Sequence, residues 1–551
     1  MLLNSSLRKN KVWPACVALA LILVFALQAR GQNAADAAAQ EAANAGRGRI
    51  LLVLPFDNRS GQPSLEWIRE VAPEILGRRF ASAGFAPMSR TERLYALDHL
   101  GLPEGFQPSR ASSLKLAQTL DADSIIVGSF LTDGNNIVAQ AQIVDVSHLR
   151  MSQPVTARGE MRDLIAVFSS LAWKLTRVLD PGFSVAEETF VAAGRGVRLD
   201  AFEQYIRGIT EPDHDERLRH LKQATLLSPD LDSAWMALGR EYYAGQQYDE
   251  AAAAFARVGH NNPDFLEAAF YRGLSLLFSG HYPEAEKAFS DVARVLPLAE
   301  VLNNEGVAIS RQGHDGSALF VAAESADPNA ADYHFNLAVS LKRRGASNEA
   351  IAELGQSLKL RPGDTEAQEL QKEWKGAPSV QAVSGTDQST ESKADPLERI
   401  VRTFDADAFR EAMLMKDQVE ASRLAALAPH ERALALAARA KGYLDRGLLL
   451  EAERLYQSAV AADRGLAEAH AGLAEVRERS GDTVGARKEA QTALELKPSA
   501  SAYLVMARLD LAANRLTDAG REAGQALQLD PSNRVAQDLN RQIELKANKT
   551  Q

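Results

Sequence analysis

A chain of 551 residues exceeds what one hydrophobic core can organise, so three or four domains are expected. Hydrophobic residues at 46% and charged residues at 24% exclude both a wholly disordered chain and a multi-span membrane protein. A formal charge of -10 supplies no basic stripe, and no nucleic-acid partner is expected.

The first element is targeting chemistry. Arg8, Lys9 and Lys11 precede the apolar run "ACVALALILVFAL" (15–27), and the small residues Ala29 and Gly31 follow it, which is the layout of a secretory signal peptide. The run is short of the ~20 residues that a membrane-spanning helix needs. Residues 1–31 are therefore expected to be cleaved, near 29–31, from a periplasmic or secreted protein. The alternative is an uncleaved inner-membrane anchor facing the periplasm, the one route to membrane association. Cleavage removes Cys16, the only cysteine, so the rest has no disulfide, no Cys-ligated zinc and no thiol nucleophile. Packing alone must hold it together.

Residues 48–196 form the next domain. "ILLVLPF" (50–56) suits a buried strand, and "PSLEWIREVAPEILGRRFASAG" (63–84) has helical spacing through Leu65, Ile68, Val71, Ile75 and Phe80. "SLKLAQTLDAD" suggests another helix, followed by the strands "SIIVGSFL" (124–131) and "IVAQAQIVDV" (137–146) around the turn "TDGNN" (132–136). "DLIAVFSSLAWKLTRVL" (163–179) closes an α+β domain as a final helix. The combination "VLPFDNRSG" (53–61), "LAQTLDADSIIVGSF" and "NNIVAQAQIVD" resembles the N-terminal domain of the periplasmic protein TolB and related domains of CsgG-type secretion proteins. The resemblance implies an assembly or protein-binding role in the cell envelope.

From about residue 200 a pattern repeats. Small residues recur at Ala251, Ala285, Ala318 and Ala350, prolines at Pro229, Pro263, Pro297, Pro328 and Pro362, and an earlier phase at Gly239, Gly273, Gly306 and Ala338. Bulky residues keep step at Phe255, Phe289 and Leu354. Such spacing predicts helical hairpins whose two helices approach where side chains are small, Gly239 on the first and Ala251 on the second, with Trp235, Leu238, Tyr242 and Phe255 around them. Proline then ends each unit. "W..LG..Y" (235–242) with "A...F" (251–255) resembles the tetratricopeptide repeat. The same phase returns with Ala452, Ala486 and Ala519. The fold class expected is mainly α, two α-solenoid arrays of these repeats behind the small α+β domain. The first array covers 200–374, the Ser/Thr/Gly/Pro-rich stretch 375–396 is a flexible linker, and 397–546 holds a helical pair, the second array and a capping helix at 534–546.

Chemistry is scarce. No GxxxxGK[ST], GxGxxG, HExxH or GxSxG occurs, and His281, His314 and His334 have no partner at metal-ligand spacing, so no catalytic residue, metal, cofactor or enzymatic activity is expected. Asp57, Asn58, Arg59 and Ser60 sit at a strand end, where a ligand could bind or where Ser60 or Ser64 could simply cap the next helix. The repeat resemblance implies a concave surface lined by the first helix of each hairpin. Its phase falls on Arg240, Tyr243, Phe270, Leu274, Phe278, Asn303, Arg311, Phe335, Lys342 and Arg343. Two readings stay open for Phe270, Leu274 and Phe278: anchors for a ligand, or packing against the neighbouring hairpin. The function expected is a scaffold that binds protein or peptide partners; the alternative is an envelope sensor whose α+β head binds a small ligand, and a third is an uncharacterised envelope hydrolase.

Overall fold

The computed structural model describes residues 50–104, 109–262, 264–376, 396–404 and 406–550. The expected signal segment, Pro263 and nearly all of the expected linker lie outside the described residues. No described helix is long and apolar enough to cross a membrane. The chain divides into two compact units, one holding 69–195 and 414–551 with everything before Glu66, the other holding 196–413 with Glu66–Ile68.

In the first unit a seven-stranded mixed sheet has the order β3-β1-β4-β5-β6, where β1 is Ile50–Val53, β3 Ala86–Pro87, β4 Ser124–Asp133, β5 Asn136–Asp145 and β6 Arg150–Met151. β2 (Asp57–Asn58) pairs with β4, and β7 (Val155–Glu160) with β5. β1, β2 and β3 run parallel to their partners, whereas β4 and β5 form a ten-pair antiparallel hairpin turned by Gly134 at φ +60°. The region expected to be one helix over 63–84 winds as a 3-10 helix over Pro63–Glu70, and the α-helix α1 starts at Val71 and runs to Ala83. Pro73 is the reason: it has no amide to offer the Arg69 carbonyl, which accepts from Phe56 N at 3.0 Å instead. Next come α2 (Arg90–His99), α3 (Arg110–Thr119), α4 (Leu164–Leu179) and α5 (Glu187–Ala192). Leu52, Leu54, Ile125 and Val144 meet Leu97 and Leu116 of α2 and α3, and the Phe56 ring lies 5.7 Å from that of Phe168 on α4.

The second unit is built of antiparallel hairpins. α6 (Leu199–Thr210) pairs with α7 (His214–Leu227), α8 (Asp232–Ala244) with α9 (Tyr248–Phe255), α10 (Phe265–Phe278) with α11 (Tyr282–Ala293), α12 (Ala299–Arg311) with α13 (Ser317–Ala326) and α14 (Ala331–Arg343) with α15 (Ser347–Leu360); α16 (Thr365–Gly376) closes the row. Ala251, Ala285 and Ala350 are fully buried, as the pattern requires. Ala318 is exposed, and in that hairpin buried Ser317 takes the position, because the unit is shortened and its phase slips by one residue. In three of these hairpins a glycine stands against an aromatic ring. A Cβ on Gly239 would stand 2.7 Å from Phe255, on Gly273 2.7 Å from Phe289, and on Gly306 2.8 Å from Phe320. Each ring therefore sits directly against bare backbone.

α17 (Ala406–Ala425) is followed in the first unit by the pairs α18 (Pro429–Asp445) with α19 (Leu449–Ala462), α20 (Ala467–Ser480) with α21 (Thr483–Leu496) and α22 (Ala500–Ala512) with α23 (Leu516–Leu529). Ala452, Ala486 and Ala519 are all fully buried. α24 (Arg534–Thr550) covers the last pair with Ala536, Leu539 and Ile543.

This C-terminal array is docked to the α+β domain. Glu453 on α19, fully buried, takes the Thr189 hydroxyl and the Ala186 amide, the latter at 3.2 Å, and an ion pair from Arg477 at 3.3 Å. Burial pushes the Glu453 carboxyl above its usual range in spite of these donors. Gln457 exchanges hydrogen bonds with Ser184, accepting from its hydroxyl at 2.6 Å and donating to its carbonyl at 2.9 Å. Arg454 donates to the Ala83 carbonyl at 3.1 Å, and Arg195 to the Ser480 carbonyl at 2.8 Å.

Candidate functional site

The first helices α12 and α14 present polar side chains at matched positions, Asn303 on α12 and Asn336 on α14 standing 33 residues apart. With Asn304 they are fully buried. Unpaired, each such amide would cost about 1–3 kcal/mol. Their partner is main chain. Residues 396–404, "PLERIVRTF", run along these helices without helix or strand of their own. Asn336 accepts from Arg399 N at 2.6 Å and donates to Arg399 O at 2.8 Å, while Asn304 accepts from Val401 N at 3.0 Å and donates to Val401 O at 2.8 Å. Asn303 links the two, donating to Arg399 O at 3.1 Å and accepting from Asn336 at 2.8 Å. In an extended chain residues i and i+2 point their amide and carbonyl the same way. Two asparagines spaced by one repeat thus read residues 399 and 401 as a neighbouring strand would.

Side chains of the segment add selectivity. The Glu398 carboxylate is fully buried and held by Arg343 and the Ser310 hydroxyl, with Arg311 Nε at 3.8 Å. Arg311 also donates to the Glu398 carbonyl at 3.0 Å, and Arg343 to the Pro396 carbonyl at 2.8 Å. Arg399 lies over the Phe335 ring, 3.6 Å from its centroid, and reaches Asp332 at 3.0 Å, Asp364 at 2.9 Å and Glu366 at 2.9 Å. Burial works against this guanidinium, but the Asp364, Glu366 and Asp332 carboxylates more than offset it and keep it charged. In return the Arg399 hydrogen bond holds the Asp364 carboxyl below its ordinary range. Further along, Arg402 sits 5.1 Å over Phe278, and Phe404 packs against Phe270 with ring centroids 5.4 Å apart.

The ten expected groove residues therefore divide. Phe270, Phe278, Asn303, Arg311, Phe335 and Arg343 lie on the segment. Tyr243 belongs to an aromatic cluster with Tyr271, Tyr248 and Phe278, and Arg240 is paired with Glu267 at 2.6 Å. Leu274 is fully buried in the core between hairpins. Lys342 is turned to the end of the row, over Trp374 at 5.6 Å. Asn304, Asn336 and Ser310 were missed, as was the segment itself. Residues 397–404 were expected to be helical and are extended, because Pro396 opens the stretch, Ile400, Val401 and Thr403 are β-branched, and the asparagines take the main-chain groups a helix would use. The available signal was "LNNEG" (302–306) and "HFNLA" (334–338), asparagines recurring at the repeat interval on the packed face.

Among the described residues one cluster has metal-ligand geometry, Glu324, His334 and Glu353. His334 Nε2 meets the Pro328 carbonyl at 3.1 Å, and Nδ1 meets Glu353 at 2.9 Å. The same position carries Trp235, whose Nε1 donates to the Pro229 carbonyl at 2.8 Å, and His470, whose Nε2 meets the Arg464 carbonyl at 3.2 Å. A side-chain N–H at this point closes the turn between hairpins, which accounts for His334 without a metal. At the strand end, Ser60 donates to Asn58 at 2.6 Å and accepts from Gln62 N at 3.1 Å, so the cluster's polar groups serve its own loop.

The sequence matches the family described as Tetratricopeptide repeat over residues 236–300 and 437–501, once in each array. Both arrays carry tetratricopeptide repeats. A fungal relative, the protein bimA of Emericella nidulans, is 35% identical over 92 residues, 16% of this chain and 11% of that one, so the chain spans about a tenth of that relative's length. Among solved structures, YrrB, described as a TPR protein with an unusual peptide-binding site, is 16% identical with TM-score 0.28, covering 37% of this chain and 99% of YrrB. The C-terminal domain of LpoB from Salmonella enterica is 21% identical with TM-score 0.19, covering 21% of this chain and 84% of that one.

Proposed function

We propose that this protein is a non-catalytic scaffold that holds partner polypeptides through the concave row of its first tetratricopeptide array. One observation carries the reading: three fully buried asparagines and the Arg311–Arg343 pair take an extended stretch of polypeptide by its main chain and by one acidic side chain. Buried amides and guanidinia in a row without a reacting group suit capture of a chain and not its chemical change. The α+β head, whose sequence resembles the TolB domain, serves as an assembly module fixed to the second array. The N-terminal basic and apolar run supports work in the periplasm or outside the cell.

The test is direct binding. A full-length variant in which residues 396–404 are replaced by Gly and Ser should take up a fluorescent PLERIVRTF peptide at micromolar concentration, and Asn336→Ala in that background should abolish uptake. A variant that stays folded and ignores the peptide would rule the groove reading out.

A further inference from the structure

The segment in the groove belongs to the chain itself, and its contacts are those of a ligand. Its main chain is read at two alternate residues, its Glu398 carboxylate is sealed from solvent, its Arg399 is held between an aromatic face and three carboxylates, and Phe404 is seated on Phe270. The segment has no helix or strand of its own, and it is held by side chains of the hairpins, with Ile400 and Phe404 packed against the hydrophobic cluster around Phe270. We infer that residues 396–404 are a tethered pseudo-ligand that closes array one, and that the partner it fits is a protein presenting an extended segment of the same chemistry, Glu-Arg followed by two apolar residues and, five residues after the Arg, a phenylalanine. The inference rests on the groove reading above.

The chemistry of the occupant follows from the walls. Arg311 and Arg343 face one acidic position, and Asp332, Asp364 and Glu366 face the cationic position directly after it. An acidic-basic pair in that order satisfies both; the reverse order places like charges together. Because the strap is part of the same chain, its return to the groove is intramolecular, at an effective concentration on the order of millimolar. A strap with a free-peptide Kd of about 10 μM would then leave the groove open roughly 1% of the time and weaken a competitor about a hundredfold. Capture thus becomes selective for partners presented at high local density.

The experiment compares three full-length proteins with fluorescent PLERIVRTF: wild type, Glu398→Ala with Arg399→Ala, and that double variant with Asn336→Ala added. Expected is binding at least tenfold tighter to the double variant than to wild type, with loss in the triple variant. Equal affinity for wild type and double variant overturns the strap and leaves the groove reading standing; no binding to a folded double variant overturns both. Hydrogen exchange supplies a measurement that needs no variant. The Arg399 and Val401 amides should be protected in wild type and lose protection as peptide is added, whereas unprotected amides would show that the strap does not occupy the groove. Concentration-dependent dimers held through residues 396–404 would assign the occupant to a second copy and overturn the partner proposed.

Discussion

Replacing Gly273 by alanine tests one of the close contacts between helices of a hairpin. The new Cβ would stand 2.7, 2.8 and 2.9 Å from three atoms of the Phe289 ring, and that ring is fully buried, with Phe270 5.7 Å away edge-on. Neither side can yield, since one is helix backbone and the other a boxed aromatic. Overpacking of this kind costs about 1–3 kcal/mol, against which alanine returns about 1 kcal/mol of helix propensity, so a net loss of up to about 2 kcal/mol is expected. Gly442 in α18 is the control, because nothing lies within 4 Å of its missing Cβ and Gly442→Ala should stabilise by about 0.5–1 kcal/mol. Hydrogen-exchange free energies for the amides of α10 and α11 suit the assay, since each hairpin contacts only its neighbours and opens locally. Pairing Gly273→Ala with Phe289→Leu should recover part of the loss. If Gly273→Ala alone raises protection as Gly442→Ala does, the seat of ring on backbone is not what sets the hairpin spacing.

Removing the Glu453 carboxylate by Glu453→Ala strands Thr189 and the Ala186 amide, and should cost about 2 kcal/mol, read as faster proteolysis of residues 183–195. The hydrogen bond that His470 donates to Glu489 raises the histidine above its ordinary value in spite of burial. A histidine whose folded value lies above the unfolded one adds stability that is full below pH ~6.5 and lost as pH rises through the folded value. Protection of α20 and α21 should accordingly fall from pH 6 to 8, and Glu489→Gln should flatten the slope. A peptide with Lys in place of the Arg399 equivalent keeps the charge but loses the planar contact with Phe335, and should bind the strap-free variant about tenfold more weakly; equal titration curves would count against the ring contact.

The hairpins were legible because their determinants are local and repeat. Gly239, Gly273 and Gly306 announce close helix approach, though the sequence suggested alanine as the opposing residue where the fold uses Phe255, Phe289 and Phe320. Arg311, Arg343 and Phe335 could be placed on the concave side by phase alone. What occupies that side could not, since Glu398 and Arg399 meet partners 33 to 96 residues away, and a short run of mixed charge and β-branched residues carries no period of its own. Leu274 and Lys342 share the groove phase, yet one packs inward and the other turns to Trp374, because phase fixes a helix face and not where a long side chain goes.

The contact between Thr189 and Glu453 spans 264 residues of chain. At the roughly 5–20 residues per second of synthesis, the α+β domain emerges on the order of half a minute before α19 exists to receive it. For that interval Ser184, Ala186 and Thr189 lack the Gln457 and Glu453 side chains that finally hold them, and the nascent protein must either leave that stretch unfolded or shield it. Completion of the molecule is thus timed by its own tail, and a ribosome pause within residues 196–448 prolongs the vulnerable period in proportion.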